Sequence, residues 1–117
     1  MKCGMTYEQG DILLMPFPYS DLTAIKKRPV LVISSREYNT GSNDIIICGI
    51  TSNPRQAPYS VLFDNSDLTS GSVPMPSRIK ADKLFALEKS GVIKKLAKLS
   101  ENKINETKDQ MIRIFGF

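Results

Sequence analysis

Apolar and polar positions along this 117-residue chain alternate in short stretches broken by turn residues, with one helical pattern at the C-terminal end. "GDILLMPFP" opens on Gly-Asp and closes on Pro-x-Pro, which predicts a first strand over about residues 10–17. "YSDLTAIKKR" reads as a polar loop. "PVLVISS" reads as a second strand whose leading proline occupies a position where a ladder donor can be spared. "REYNTGSND" predicts a turn or a single helical turn, "IIICGIT" a third strand and "YSVLFD" a fourth, with the two-proline loop "SNPRQAP" between them. "NSDLTSGSVPMP" is a turn-rich connection into a fifth strand, "SRIKADKLFALE". Residues 88–99 fit either a strand or a short amphipathic helix. In the tail, Ser100 is a candidate N-cap, and Ile104, Thr107, Met111 and Phe115 share one helical face that Gly116 terminates.

Two runs, Val30–Ile33 and Ile45–Cys48, are apolar at every position. A strand with one wet face alternates, so both faces of these strands are expected to be covered. In an antiparallel protein the second cover is a helix or another subunit, which points to a homodimer. The strands succeed one another without helical crossovers, which disfavours a parallel α/β fold. The expectation is a single β-dominated domain over residues 1–117, a small antiparallel β-barrel or rolled sheet with a C-terminal helix.

Composition narrows the chemistry. The chain has no histidine, so Ser-His-Asp, Cys-His and paired-histidine sites are excluded. Cys3 and Cys48 are isolated thiols, which argues against a metal site, and no cofactor is expected. No apolar run approaches the roughly twenty residues of a membrane helix, and no secretory leader is apparent. A cytoplasmic, reduced protein is expected. The net charge is +4, with ten Lys or Arg against five Asp or Glu from Arg78 onward. That balance favours a polyanionic partner and equally suits a solvated lysine-rich surface.

Three polar clusters sit at strand ends: Lys26, Lys27 and Arg28; Thr51, Ser52 and Asn53; and Arg78, Lys80 and Asp82, whose spacing of two puts them on one face of a regular strand. An arginine fork, a hydroxyl and an ammonium together suit a phosphodiester. RNA carries its own nucleophile, the 2′-hydroxyl, so preorganised donors around the phosphorus suffice for cleavage. Taken singly, Arg28 reads more readily as a rim arginine paired with a carboxylate and Thr51 as a β-former, and Lys80 with Asp82 also reads as a surface ion pair.

The order "GDI", "KKRPVLVIS", "GITS", "SRIKADKLFALEKSGVIKKLAKLS" resembles the PemK/MazF-type toxins of bacterial toxin–antitoxin pairs, from Gly10 to the C-terminal helix. The resemblance implies the PemK/CcdB-like toxin fold, a homodimer, and metal-independent, sequence-specific cleavage of single-stranded mRNA to 2′,3′-cyclic phosphate and 5′-hydroxyl ends. By motif, Arg28 and Thr51 match the family's catalytic pair, and Lys80 and Asp82 fall where some members carry a basic residue and an aspartate. Lys26, Lys27, Ser52, Asn53, Arg55 and Arg78 are expected to hold the RNA. Some relatives use a histidine in the first loop, which this chain lacks. The resemblance further implies a cognate antitoxin whose acidic tail competes with RNA, with loops 18–27 and 53–58 as gates. Two other activities fit such a barrel: a CcdB-like toxin that poisons DNA gyrase, and a non-catalytic RNA-binding barrel.

Overall fold

The two apolar runs begin on adjacent strands, β2 (Ile25–Val32) and β3 (Asp44–Thr51), in the middle of one antiparallel sheet. The computed structural model describes residues 6–18 and 25–117. Around these strands lie β1 (Asp11–Pro18), β4 (Ser60–Phe63), β5 (Leu68–Gly71), β6 (Ser77–Glu88) and β7 (Lys94–Leu99), in spatial order β4-β6-β3-β2-β1-β7-β5. A short helix α1 (Arg36–Gly41) links β2 to β3, and α2 (Glu101–Phe115) ends the chain. The expected β-dominated fold with a C-terminal helix is what forms.

Alternation along β1, β2 and β3 feeds two separate cores. On one side Ile12, Leu31 and Cys48 join Phe63, Ile79 and Leu99 under Ile104 of α2. On the other, Leu13, Val30, Val32, Ile45 and Ile47 are fully buried with Met15, and Phe85, Leu87 and Val92 pack against them. The second face is therefore covered from within the chain, by the curl of the sheet and the 3-10 turn Lys89–Gly91. No partner subunit is needed for that burial, which removes the packing reason for expecting a homodimer.

The curl depends on an offset between β3 and β6. Cys48 pairs with Leu84, whereas the next residue, Gly49, pairs with Lys80. Ala81, Asp82 and Lys83 thus have no counterpart on β3, and the long strand bends there. Asp82 leaves the regular alternation at this point, so the face expected to unite it with Arg78 and Lys80 does not form.

Other boundaries differ from the sequence pattern. β2 starts at Ile25 rather than Pro29, because β1 extends far enough to pair Phe17 with Lys26 and Met15 with Arg28. Three cations in a row read as a loop, yet at the end of a ladder they sit on strand backbone, with Lys26 and Lys27 exposed and Arg28 half-buried. Most of the expected gate at 18–27 falls on residues 19–24, outside the described residues, as does Cys3. The connection after β4 contains β5, held against β7. The ambiguous segment 88–99 resolves into a 3-10 turn and β7. In α2, Ser100 caps Lys103 N–H as expected, and Gly116 closes the helix at φ 75° with its N–H on Ile112 O. Phe115, expected on the buried face, is 53% exposed in the last turn.

These contacts make three expected outcomes. Ser100→Ala loses about 1 kcal/mol of stability in urea unfolding, with an unchanged slope. Gly71→Ala loses more, because Gly71 has φ +74° and a Cβ there would collide with the Leu96 carbonyl oxygen; equal midpoints for the two variants contradict this packing. Burial, reinforced by the Asp82 carboxylate, pushes the Cys48 thiol far above its ordinary range. Cys48 is therefore spared by iodoacetamide at pH 8 in the native protein and alkylated in urea, as peptide mass spectrometry can follow. A thiol raised in the folded state stabilises below its unfolded pKa, and that contribution fades as pH rises above about 8.5.

Candidate active site

The face that buries Val30 and Val32 turns polar where the strands outrun the core. Val30 pairs with Gly49 across β2 and β3. Arg28 and Thr51 each lie two residues beyond that pair on their own strands, so alternation puts both on the same face. Thr51 in turn pairs with Arg78, and Gly49 with Lys80, across β6. Three strands thereby deliver Arg28, Thr51, Arg78 and Lys80 to one open cleft of about 630 Å³.

Parity also separates residues that are neighbours in sequence. Lys27, Pro29 and Ser52 point to the opposite face, and Pro29 and Ser52 line a second, apolar crevice of about 240 Å³ with Val73 and Met75. Lys26 shares the parity of Arg28 but lies further out, exposed beside Phe17 and outside the cleft lining. Asp82 is exposed in the β6 offset and does not line the cleft. Of the residues singled out in the sequence, Arg28, Thr51, Lys80, Asn53, Arg55 and Arg78 are brought together; Asp82, Lys26, Lys27 and Ser52 are not.

Several lining residues escaped the sequence reading, four of which shape the cleft. Phe17 and Phe85 meet edge-on, with centroids 4.8 Å apart, and form an apolar floor. Gly49 lies against that floor: a Cβ there would stand 3.4 Å from the Phe17 ring, in ordinary contact. Lys83, in the offset, adds a cation. Pro-Phe-Pro flanking and the glycine inside an apolar strand were the available signals, but neither specifies which face the rings take.

The remaining wall is the β3–β4 loop, residues 52–59. Thr51 Oγ1 accepts from Asn53 N–H at 3.1 Å, and Asn53 Oδ1 accepts from Arg55 N–H at 3.0 Å. One Thr51 lone pair is thus committed to the loop, while its O–H remains a donor.

The charge is concentrated in the cleft more than on the surface at large. Lys95 and Lys98 reach buried Asp11 at 3.0 and 3.5 Å, Lys103 pairs with Glu106, and Lys89 donates to Asn39 O at 2.6 Å. Much of the C-terminal basic excess is therefore engaged in holding the fold. The cleft carries Arg28, Arg55, Arg78, Lys80 and Lys83, with no carboxylate among the described lining residues. Such a site takes an anion with several oxygens and an apolar or aromatic portion. No three His, Cys, Asp or Glu residues among the described ones are grouped to hold a metal ion, and no helix among them is long and apolar enough to cross a membrane.

No curated protein gives a significant sequence match. Among solved structures, the fold is similar to a mycobacterial endoribonuclease in complex with its cognate antitoxin, with TM-score 0.78, 19% identity, and coverage of 95% of this chain and 96% of that one. It is similar to MazF in a MazE–MazF crystal structure from Deinococcus radiodurans, with TM-score 0.74, 20% identity, and coverage of 97% and 98%. The Mycobacterium tuberculosis toxin MazF-mt6 gives TM-score 0.75 at 15% identity, covering 92% and 97%. At these identities the likeness is one of fold. Residues 8–115 match the sequence model of the PemK-like, MazF-like toxins of type II toxin–antitoxin systems, and the chain belongs to that family.

Proposed function

We propose that the chain is an endoribonuclease toxin that cuts single-stranded RNA by metal-independent transesterification. The observation that carries this reading is the convergence of Arg28, Thr51 and Lys80 from three strands on a cationic cleft with an aromatic floor. The 2′-oxygen attacks the adjacent phosphorus, forming the P–O2′ bond of a 2′,3′-cyclic phosphate while the P–O5′ bond breaks. Arg28 clamps the non-bridging oxygens through its fork, and the Thr51 hydroxyl donates to one of them as negative charge builds. Thr51 acts as donor rather than base, since its acceptor side faces Asn53 N–H. Lys80 gives a proton to the departing 5′-oxygen, while water takes the 2′ proton and solvent returns one to Lys80, so the enzyme ends as it began. Asp82 stands outside the cleft and has no part in this scheme.

The partner is a cognate antitoxin whose acidic segment fills the same cleft, a reading supported by the antitoxin complexes among the structural neighbours. The active assembly is a homodimer, as the sequence resemblance implies, acting in the cytoplasm, as the two isolated thiols suggest. Purified protein in excess EDTA is expected to cut a long single-stranded RNA to 5′-hydroxyl ends. Arg28→Ala and Thr51→Ala each lower kcat by about a hundredfold or more, the scale of losing one oxyanion donor. Unchanged cleavage by both variants overturns the assignment. Salt-sensitive RNA binding without new ends identifies a non-catalytic RNA-binding barrel instead.

A further inference from the structure

We infer that Arg78 is a positioning residue that sets which RNA sequences are cut, by bracing the loop that presents base-reading side chains; the inference rests on the RNA-cleaving reading above. Its guanidinium is committed in two directions. Nε–H donates to the Pro54 carbonyl at 3.1 Å, and Nη1–H donates to Ser60 Oγ at 3.0 Å. Ser60 Oγ–H passes the tie onward to the Ala57 carbonyl at 2.6 Å. One planar cation on β6 thus grips the start of the 52–59 loop, its far end and, through a hydroxyl, its middle.

The loop is held at its remaining corner under strain. Tyr59 has φ 53°, a left-handed conformation costly for an aromatic residue, and its carbonyl accepts from Ala81 N–H at 3.1 Å. A segment with such a corner keeps one shape only where surrounding bonds over-determine it. Charge-assisted bonds from Arg78 are the strongest available for that purpose.

The braced loop holds Asn53, Arg55 and Gln56 in the cleft wall. Amide and guanidinium side chains are those that read base edges, and unpaired RNA bases offer those edges freely. Arg28, Thr51 and Lys80 address the phosphate, which is the same at every nucleotide. Selectivity therefore falls to the loop, and its precision to Arg78. Lysine keeps the charge at this position but cannot span the Pro54 carbonyl and the Ser60 hydroxyl with one fixed plane.

The test compares wild type, Arg78→Lys and Ser60→Ala by sequencing the 5′-hydroxyl ends from a mixed RNA pool and by amide hydrogen exchange over residues 53–58. Arg78→Lys is expected to broaden the set of cut sequences, lower kcat/KM on the preferred site about tenfold, and speed loop exchange. Ser60→Ala, which removes no charge and does not line the cleft, shifts site preference and loop exchange in the same direction by a smaller amount. Arg78→Lys matching wild type in site set and loop exchange shows that Arg78 serves only as a cation and overturns the inference. Should Arg78→Lys fail to fold, an unchanged site set in Ser60→Ala overturns it. Wild type that cuts no RNA defeats the nuclease reading and with it the role in selectivity, whereas unchanged loop exchange in Arg78→Lys defeats the brace itself.

Discussion

Burial of β2 and β3 on both faces is the constraint from which the other features descend. Leu31 and Cys48 belong to one core, Val30, Val32, Ile45 and Ile47 to the other, and a single chain can cover both only by curling its sheet. Strands clamped this way have fixed register, because a slip of one residue would exchange the two cores. Polar side chains can appear on them only past the last buried pair. Arg28 and Thr51 occupy that position, so their mutual placement follows from the packing of apolar residues several ångströms away.

The three-residue offset in β6 has a comparable reach. It lets one strand serve the fold twice, Ile79 in the first core and Phe85 against the second. It also sorts charge: Lys80 and Lys83 line the cleft, while Asp82 is left on the surface, where its carboxylate bears on the Cys48 thiol. A regular strand would have placed Asp82 on the face of Lys80 and partly neutralised the site.

Local signals made much of this legible. Continuous apolar runs announced doubly buried strands, and Ser100 and Gly116 bounded α2 because capping is decided by a few adjacent residues. What stayed hidden was non-local. The start of β2 depends on the length of β1, since cations such as Lys26 pair on backbone as readily as apolar residues do. The offset at Ala81–Lys83 depends on the bend the two cores require, so spacing alone put Asp82 on the wrong face. Arg78 was recognisable as a cation, but its bonds to Pro54 and Ser60 are contacts across 24 and 18 residues that no pattern encodes.

The described walls of the cleft carry five cations and neither histidine nor carboxylate, so the charge that meets an incoming anion is of one sign. Many enzymes carry an internal brake in the form of an acid or base that changes state with cellular pH. No histidine is present in this chain to act in that way. Any two polyanions that reach the cleft meet the same five cations, so one can hold it only by keeping the other out.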